Sequence, residues 1–66
     1  MKITLNGDFI EIATGMNLAR LIDLRKLPKQ RIVVECNGEI VKSEDWAHRV
    51  LKPQDCLEIV TFVGGG

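Results

Sequence analysis

Three features of this 66-residue chain predict an α+β fold, a mixed β-sheet with one main helix packed on one face. Two Asn-Gly pairs, Asn6-Gly7 and Asn37-Gly38, each sit between short runs of alternating polar and apolar residues. A single stripe at helical spacing, Leu18, Leu21 and Ile22, lies between those two hairpin signals. A last alternating run, Cys56 to Val63, then leads into three glycines. Two hairpins on either side of one helix, followed by a lone strand, need a crossover to close one sheet, and that crossover puts the helix on one side of it.

The elements follow in order. Lys2 to Leu5 alternates, as a half-buried strand does. Asn6-Gly7 tolerates positive φ at both positions and so closes a two-residue turn. Residues 2–12 therefore read as a β-hairpin with Ile3, Leu5, Ile10 and Ile12 toward the core, and Phe9 and Glu11 pointing away. Thr14-Gly15 breaks the strand. Asn17 is the expected N-cap of a helix over about 18–25, whose Leu18, Leu21 and Ile22 pack on the sheet. Arg25 and Lys26 complement the dipole at its end, and Pro28 stops it. The basic cluster Arg25, Lys26, Lys29 and Arg31 reads as capping and solvated surface.

Arg31 to Cys36 is the third strand, rich in β-branched residues, and Asn37-Gly38 turns it into a short strand, Glu39-Ile40-Val41. Ser43 is expected to cap a brief helical turn through Trp46, and that tryptophan to close one end of a small core. Val50 and Leu51 anchor the connection. Pro53-Gln54-Asp55 turns into the final strand, with Leu57, Ile59, Thr61 and Val63 on one face and Cys56, Glu58, Val60 and Phe62 on the other. Hairpin, helix, strand pair, short helical turn and final strand make the β-grasp (ubiquitin-like) arrangement. The expected organisation is one domain over 1–63 and a flexible glycine tail over 64–66.

Composition excludes more than it suggests. Nine basic residues balance nine acidic ones, which argues against a nucleic-acid backbone or an anionic membrane as partner. Two cysteines, Cys36 and Cys56, are too few for a disulfide framework, and with the lone His48 they make no metal site. They read as small apolar strand residues, and His48 as a surface residue rather than a base. The opening residues form no signal peptide and no stretch spans a membrane, so the cytoplasm is the expected compartment. No nucleophile, base and oxyanion donor cluster in the sequence, so the chain is not expected to be an enzyme.

What remains is the tail. Gly64-Gly65-Gly66 carries no side chain and can enter a slot too narrow for other residues, delivering the Gly66 carboxylate to a partner. Around it, Val34-Glu35-Cys36-Asn37-Gly38-Glu39-Ile40-Val41, Trp46, and Asp55 to Val63 before the glycines resemble the sulfur carrier family of thiamine biosynthesis, ThiS. The resemblance covers nearly the whole chain and departs at one turn, where Gln54-Asp55 stands in place of the family's Gly-Asp. It implies that Gly66 is the reacting group, adenylated and then converted to a thiocarboxylate that donates sulfur to thiazole synthase. It implies as partners an adenylating enzyme that consumes ATP, thiazole synthase, and a sulfur donor charged by a cysteine desulfurase, with no cofactor bound by the carrier itself. Gly64, Gly65, Phe62, Val60 and Phe9 are the expected binding residues, the last three forming a patch on the sheet face away from the helix if they neighbour one another. The alternatives are a molybdopterin synthase small-subunit carrier, a ubiquitin-like protein modifier, and a plain interaction module.

Overall fold

The computed structural model describes residues 1–63. Strands β1 (Lys2–Leu5) and β2 (Asp8–Glu11) form the first hairpin, and β3 (Ile32–Cys36) and β4 (Glu39–Val41) the second. Both turns are of one type: Asn6 and Gly7 have φ of +50° and +86°, and Asn37 and Gly38 have +54° and +86°. Positive φ at both central residues gives the turn whose twist matches paired strands, and asparagine followed by glycine is the pair that adopts it at least cost. The last strand, β5 (Cys56–Thr61), enters between the two hairpins, giving the order β2-β1-β5-β3-β4. It runs parallel to β1 and antiparallel to β3. The crossover between the hairpins carries helix α1 (Leu18–Leu24). This is the expected mixed sheet with one helix on one face.

Helix α1 begins as its sequence dictates. The Asn17 side-chain oxygen accepts the Arg20 N–H at 2.8 Å, satisfying one of the first-turn donors. The same side chain donates to the Ala47 carbonyl at 3.3 Å, tying the helix start to the segment that follows β4. Main-chain bonds from Leu18 to Arg49 and from Leu51 to Met16, both 2.9 Å, reinforce that tie.

The other end differs from expectation. Pro28 does not stop the helix; it has already closed by residue 24. Lys26 takes φ +56°, its N–H donates to the Asp23 carbonyl at 3.0 Å, and the Leu27 N–H donates to the Ile22 carbonyl at 3.2 Å. That pair of bonds is the Schellman ending, which normally has glycine where this chain has lysine. Arg25 is the C-cap, so both cations lie just past the last turn rather than in it. After Pro28, Lys29–Arg31 forms a short 3-10 turn, so the third strand starts at Ile32 rather than at the expected Arg31.

The core gathers on the α1 side of the sheet. Ile3, Leu18, Leu21, Ile22, Val34, Cys36, Leu51 and Leu57 are essentially inaccessible, with Ile32, Val41, Trp46 and Ile59 nearly so. Trp46 closes one end as expected, and its indole N–H donates to the buried Val41 carbonyl at 2.9 Å. The turn that carries it is a 3-10 helix over Ser43–His48 whose N-cap is Lys42, not Ser43, and no side chain caps it. Of the two expected anchors Leu51 is buried, while Val50 is exposed and contributes a single β-bridge to Asn17. Thr61 and Val63, expected on the core face with Leu57 and Ile59, have run beyond the core and are exposed.

Candidate functional site

The site predicted from sequence is where the chain leaves the sheet. Gly64, Gly65 and Gly66, and with them the expected flexible tail, lie outside the described residues. What the structure defines is the strand that presents them. β5 is the central strand, so its direction is held from both sides.

Hydrogen-bond alternation tells the two sides of β5 apart. Asn37 N–H donates to the Cys56 carbonyl at 2.8 Å, and Phe62 N–H to the Arg31 carbonyl at 2.6 Å. Even-numbered residues of β5 therefore bond toward β3, and odd-numbered ones toward β1. On the β1 side, Asn6 N–H donates to the Leu57 carbonyl at 2.8 Å, after which β1 has ended. The Asn6 side chain then takes over. Its oxygen accepts the Ile59 N–H at 2.7 Å, and its amide donates to the Ile59 carbonyl at 3.1 Å. One turn residue thus stands in for the missing next residue of β1.

The three apolar candidates do lie on the face away from α1, with Phe9, Val60 and Phe62 exposed by 75%, 60% and 55%. They are not one patch. Phe9 pairs with Thr4, and Thr4 pairs with Cys56, so Phe9 belongs to the row at the start of β5. Val60 is four residues further on, about 13 Å along the strand. Phe9 also has a partner of its own, the Lys2 ammonium 5.3 Å from its ring centre. The neighbours of Val60 are instead Val33, directly across on β3, and Phe62 beyond it. The next row holds Glu58, Glu35 and Ile40, the last 69% exposed. Val33 and Ile40 were absent from the sequence-based site. Strand alternation assigns their face, but only the register between strands makes them neighbours of Val60.

The cysteines take separate roles. Adjacent strand residues point to opposite faces, and Cys36, paired with Leu57 in register, is buried on the helix side while Cys56 is exposed on the other. Both are free thiols. Burial pushes the Cys36 thiol up from its ordinary value, outweighing a hydrogen bond from Arg49 that favours the thiolate. Such a sulfur is a packing group, not a nucleophile. Among the described residues, no three His, Cys, Asp or Glu side chains converge as metal ligands, and no helix is long and apolar enough to cross a membrane. His48 is exposed at the end of its 3-10 turn.

The turn that leads into β5 also holds a residue in a left-handed conformation. Gln54 has φ +70°, a conformation that glycine adopts without penalty and glutamine does not. Asp55 steadies this turn, accepting from the Lys52 N–H at 2.8 Å and from the Asn37 side chain at 3.0 Å.

Comparison with known proteins agrees with this geometry. The chain is similar to the ThiS thiamine biosynthesis protein of Geobacter metallireducens, with a TM-score of 0.86 and 30% identity to its crystal structure over the full length of both chains. The solution structure of a thiamine biosynthesis protein from that organism superposes with a TM-score of 0.80, covering 88% of that chain. Thiazole synthase of Paramagnetospirillum magneticum is 33% identical over all 66 residues, and the chain spans only 20% of that protein's length. The ycf40 protein of Porphyra purpurea is 27% identical over 93% of its length. The ThiS family model matches residues 3–66, from β1 through the last glycine. Matched over all but its first two residues, this β-grasp chain belongs to the ThiS family.

Proposed function

We propose that this chain is the sulfur carrier for thiazole formation in thiamine biosynthesis, with the Gly66 carboxylate as its reacting group. The observation that carries the reading is that the family match runs through residue 66 and so includes the glycine run the chemistry needs. Similarity to thiazole synthases over the whole chain supports that enzyme as the sulfur acceptor's catalyst.

The physical logic is activation followed by substitution. A carboxylate is a poor acyl donor because its leaving group would be oxide. In an adenylating partner, a Gly66 carboxylate oxygen attacks the α-phosphate of ATP, pyrophosphate departs, and the product is an acyl-adenylate. A thiol reductant releases the persulfide sulfur of a donor charged by a cysteine desulfurase as sulfide, leaving a disulfide behind, and the sulfide then attacks the acyl carbon. AMP leaves with one former carboxylate oxygen, and a thiocarboxylate remains for transfer in the active site of thiazole synthase. The carrier acts as covalent co-substrate, and partner enzymes supply the catalytic groups and consume the ATP. All of these steps belong to the cytoplasm in this reading.

Intact mass spectrometry after incubation with ATP, an adenylating enzyme and sulfide tests the proposal. Exchange of one oxygen for one sulfur, lost when Gly65-Gly66 is deleted, is the expected result. An unchanged mass in the presence of an adenylating enzyme active on its own carrier refutes it.

A further inference from the structure

We propose that the free side of β5 at Thr61 is a strand-addition site, and that the adenylating partner fills it with an extended segment carrying aliphatic and acidic side chains. The inference rests on the carrier reading above for the identity of the partner, and on the geometry of β5 for the site.

The bonding alternation of β5 sets the argument. Odd-numbered residues face the β1 side, where Leu57 is bonded to Asn6 and Ile59 is held by the Asn6 side chain. Thr61 is the next residue in that series. β1 does not reach it, and among the described residues no group accepts its N–H. Its even-numbered neighbours are already bonded across to β3. The main chain just before the glycine run therefore offers a donor and an acceptor on one open side, which is the arrangement an added strand pairs with.

The surroundings specify the occupant. Beside this open edge lies a cleft of 320 Å³ lined by Leu5, Asn6, Arg25, Leu27, Ile59 and Thr61. A strand laid along β5 sends alternate side chains into it, where Leu5, Leu27 and Ile59 suit an aliphatic residue. Arg25 lines the same cleft, and Arg31 flanks β5 on its other side opposite Phe62. Neither guanidinium is in an ion pair among the described residues, whereas the nearby Lys29 is paired with Asp23. Two cations around the exit of β5 call for a carboxylate on the incoming segment. Such pairing also has a clear use: it holds the end of β5 in line, so that the glycine run enters the partner's pocket in a fixed direction.

Amide exchange of the wild-type protein, free and saturated with its adenylating enzyme, is the direct test. The Thr61 amide is expected to slow about tenfold or more on binding, while Ile59, already bonded to Asn6, changes little. Thr61→Pro removes the outward-facing N–H, which is not one of the bonds to β3, and also fixes φ there, so affinity should fall about tenfold in a variant whose urea titration shows the fold retained. Arg25→Glu is expected to weaken binding similarly, and Arg25→Lys less. A Thr61 amide that stays unprotected in the saturated complex overturns the proposal, and the carrier reading survives that result if the same sample still gains the thiocarboxylate. Protection of Thr61 in the free protein that rises with concentration overturns it in favour of a second copy of this chain.

Discussion

Replacing Asn6 separates the two tasks that this residue performs, and the structure supplies a magnitude for each. Asn6 occupies a left-handed position in the first hairpin turn, and its side chain makes two bonds to the Ile59 main chain. Asn6→Gly keeps the turn free of strain but removes both bonds, each worth about 0.5–1.5 kcal/mol net, for a loss of about 1–3 kcal/mol. Asn6→Ala loses the same bonds and adds the left-handed penalty of a Cβ, about 1 kcal/mol more. A domain of this size has roughly 3–10 kcal/mol in total, so the alanine variant sits close to the edge of folding. Urea titration of wild type, Asn6→Gly and Asn6→Ala at constant m-value is the assay, with the melting temperature of the glycine variant expected to drop by about 10 °C. Exchange of the Ile59 amide should accelerate in both variants beyond what the global loss explains. Wild-type stability in Asn6→Gly would falsify the idea that this side chain completes the sheet beside β5.

Four further outcomes follow from the same structure. Lys26 and Gln54 both hold positive φ, so Lys26→Gly and Gln54→Gly should each raise stability by up to about 1 kcal/mol in urea titrations; no gain at either would mean the turns relax without cost. Trp46→Phe removes the indole bond to the Val41 carbonyl, which keeps its ladder partner Val34, and shrinks the lid, with an expected loss of about 1–2 kcal/mol by the same measurement. Because burial raises the Cys36 thiol, the folded state binds more protons than the unfolded one above the ordinary thiol value of about 8.5. Stability should therefore be fully present below that pH and decline as pH rises toward the folded value, a decline that Cys36→Val removes. Alkylation tracked by mass should modify Cys56 in the native protein and Cys36 only on unfolding.

The fold was legible where local rules and tertiary packing agree. Asn-Gly at positions 6–7 and 37–38 demands one turn type, and the alternation on either side of each demands a buried face, so both hairpins and the bounds of β4 could be read directly. The helix stripe likewise predicted which three residues would be buried. The misreadings occur where two solutions compete at similar cost. Lys26 closes the helix in a conformation that composition disfavours, sparing Pro28 the task, and Lys42 rather than Ser43 precedes the 3-10 turn because no side-chain cap forms there. The candidate surface was half legible for a different reason. Alternation gives the face of Phe9, Val60 and Phe62, but how far β1 slides along β5 is set by long-range pairing between residues far apart in the chain. That offset moves Phe9 away, and the separate register of β3 on β5 brings Val33 in. Open main-chain groups such as those of Thr61 have no signature in sequence at all, since every residue carries them.

The mid-sheet position of β5 also decides how the domain answers to tension. A partner that draws on the segment after Phe62 pulls along a strand flanked by β1 on one side and by five residue pairs with β3 on the other. Force in that direction runs along the strand, so it loads the rungs to both neighbours together, in shear, and a central strand has two sets of them. A load applied at the end of the chain is thereby shared across the sheet before β5 can be stripped from it.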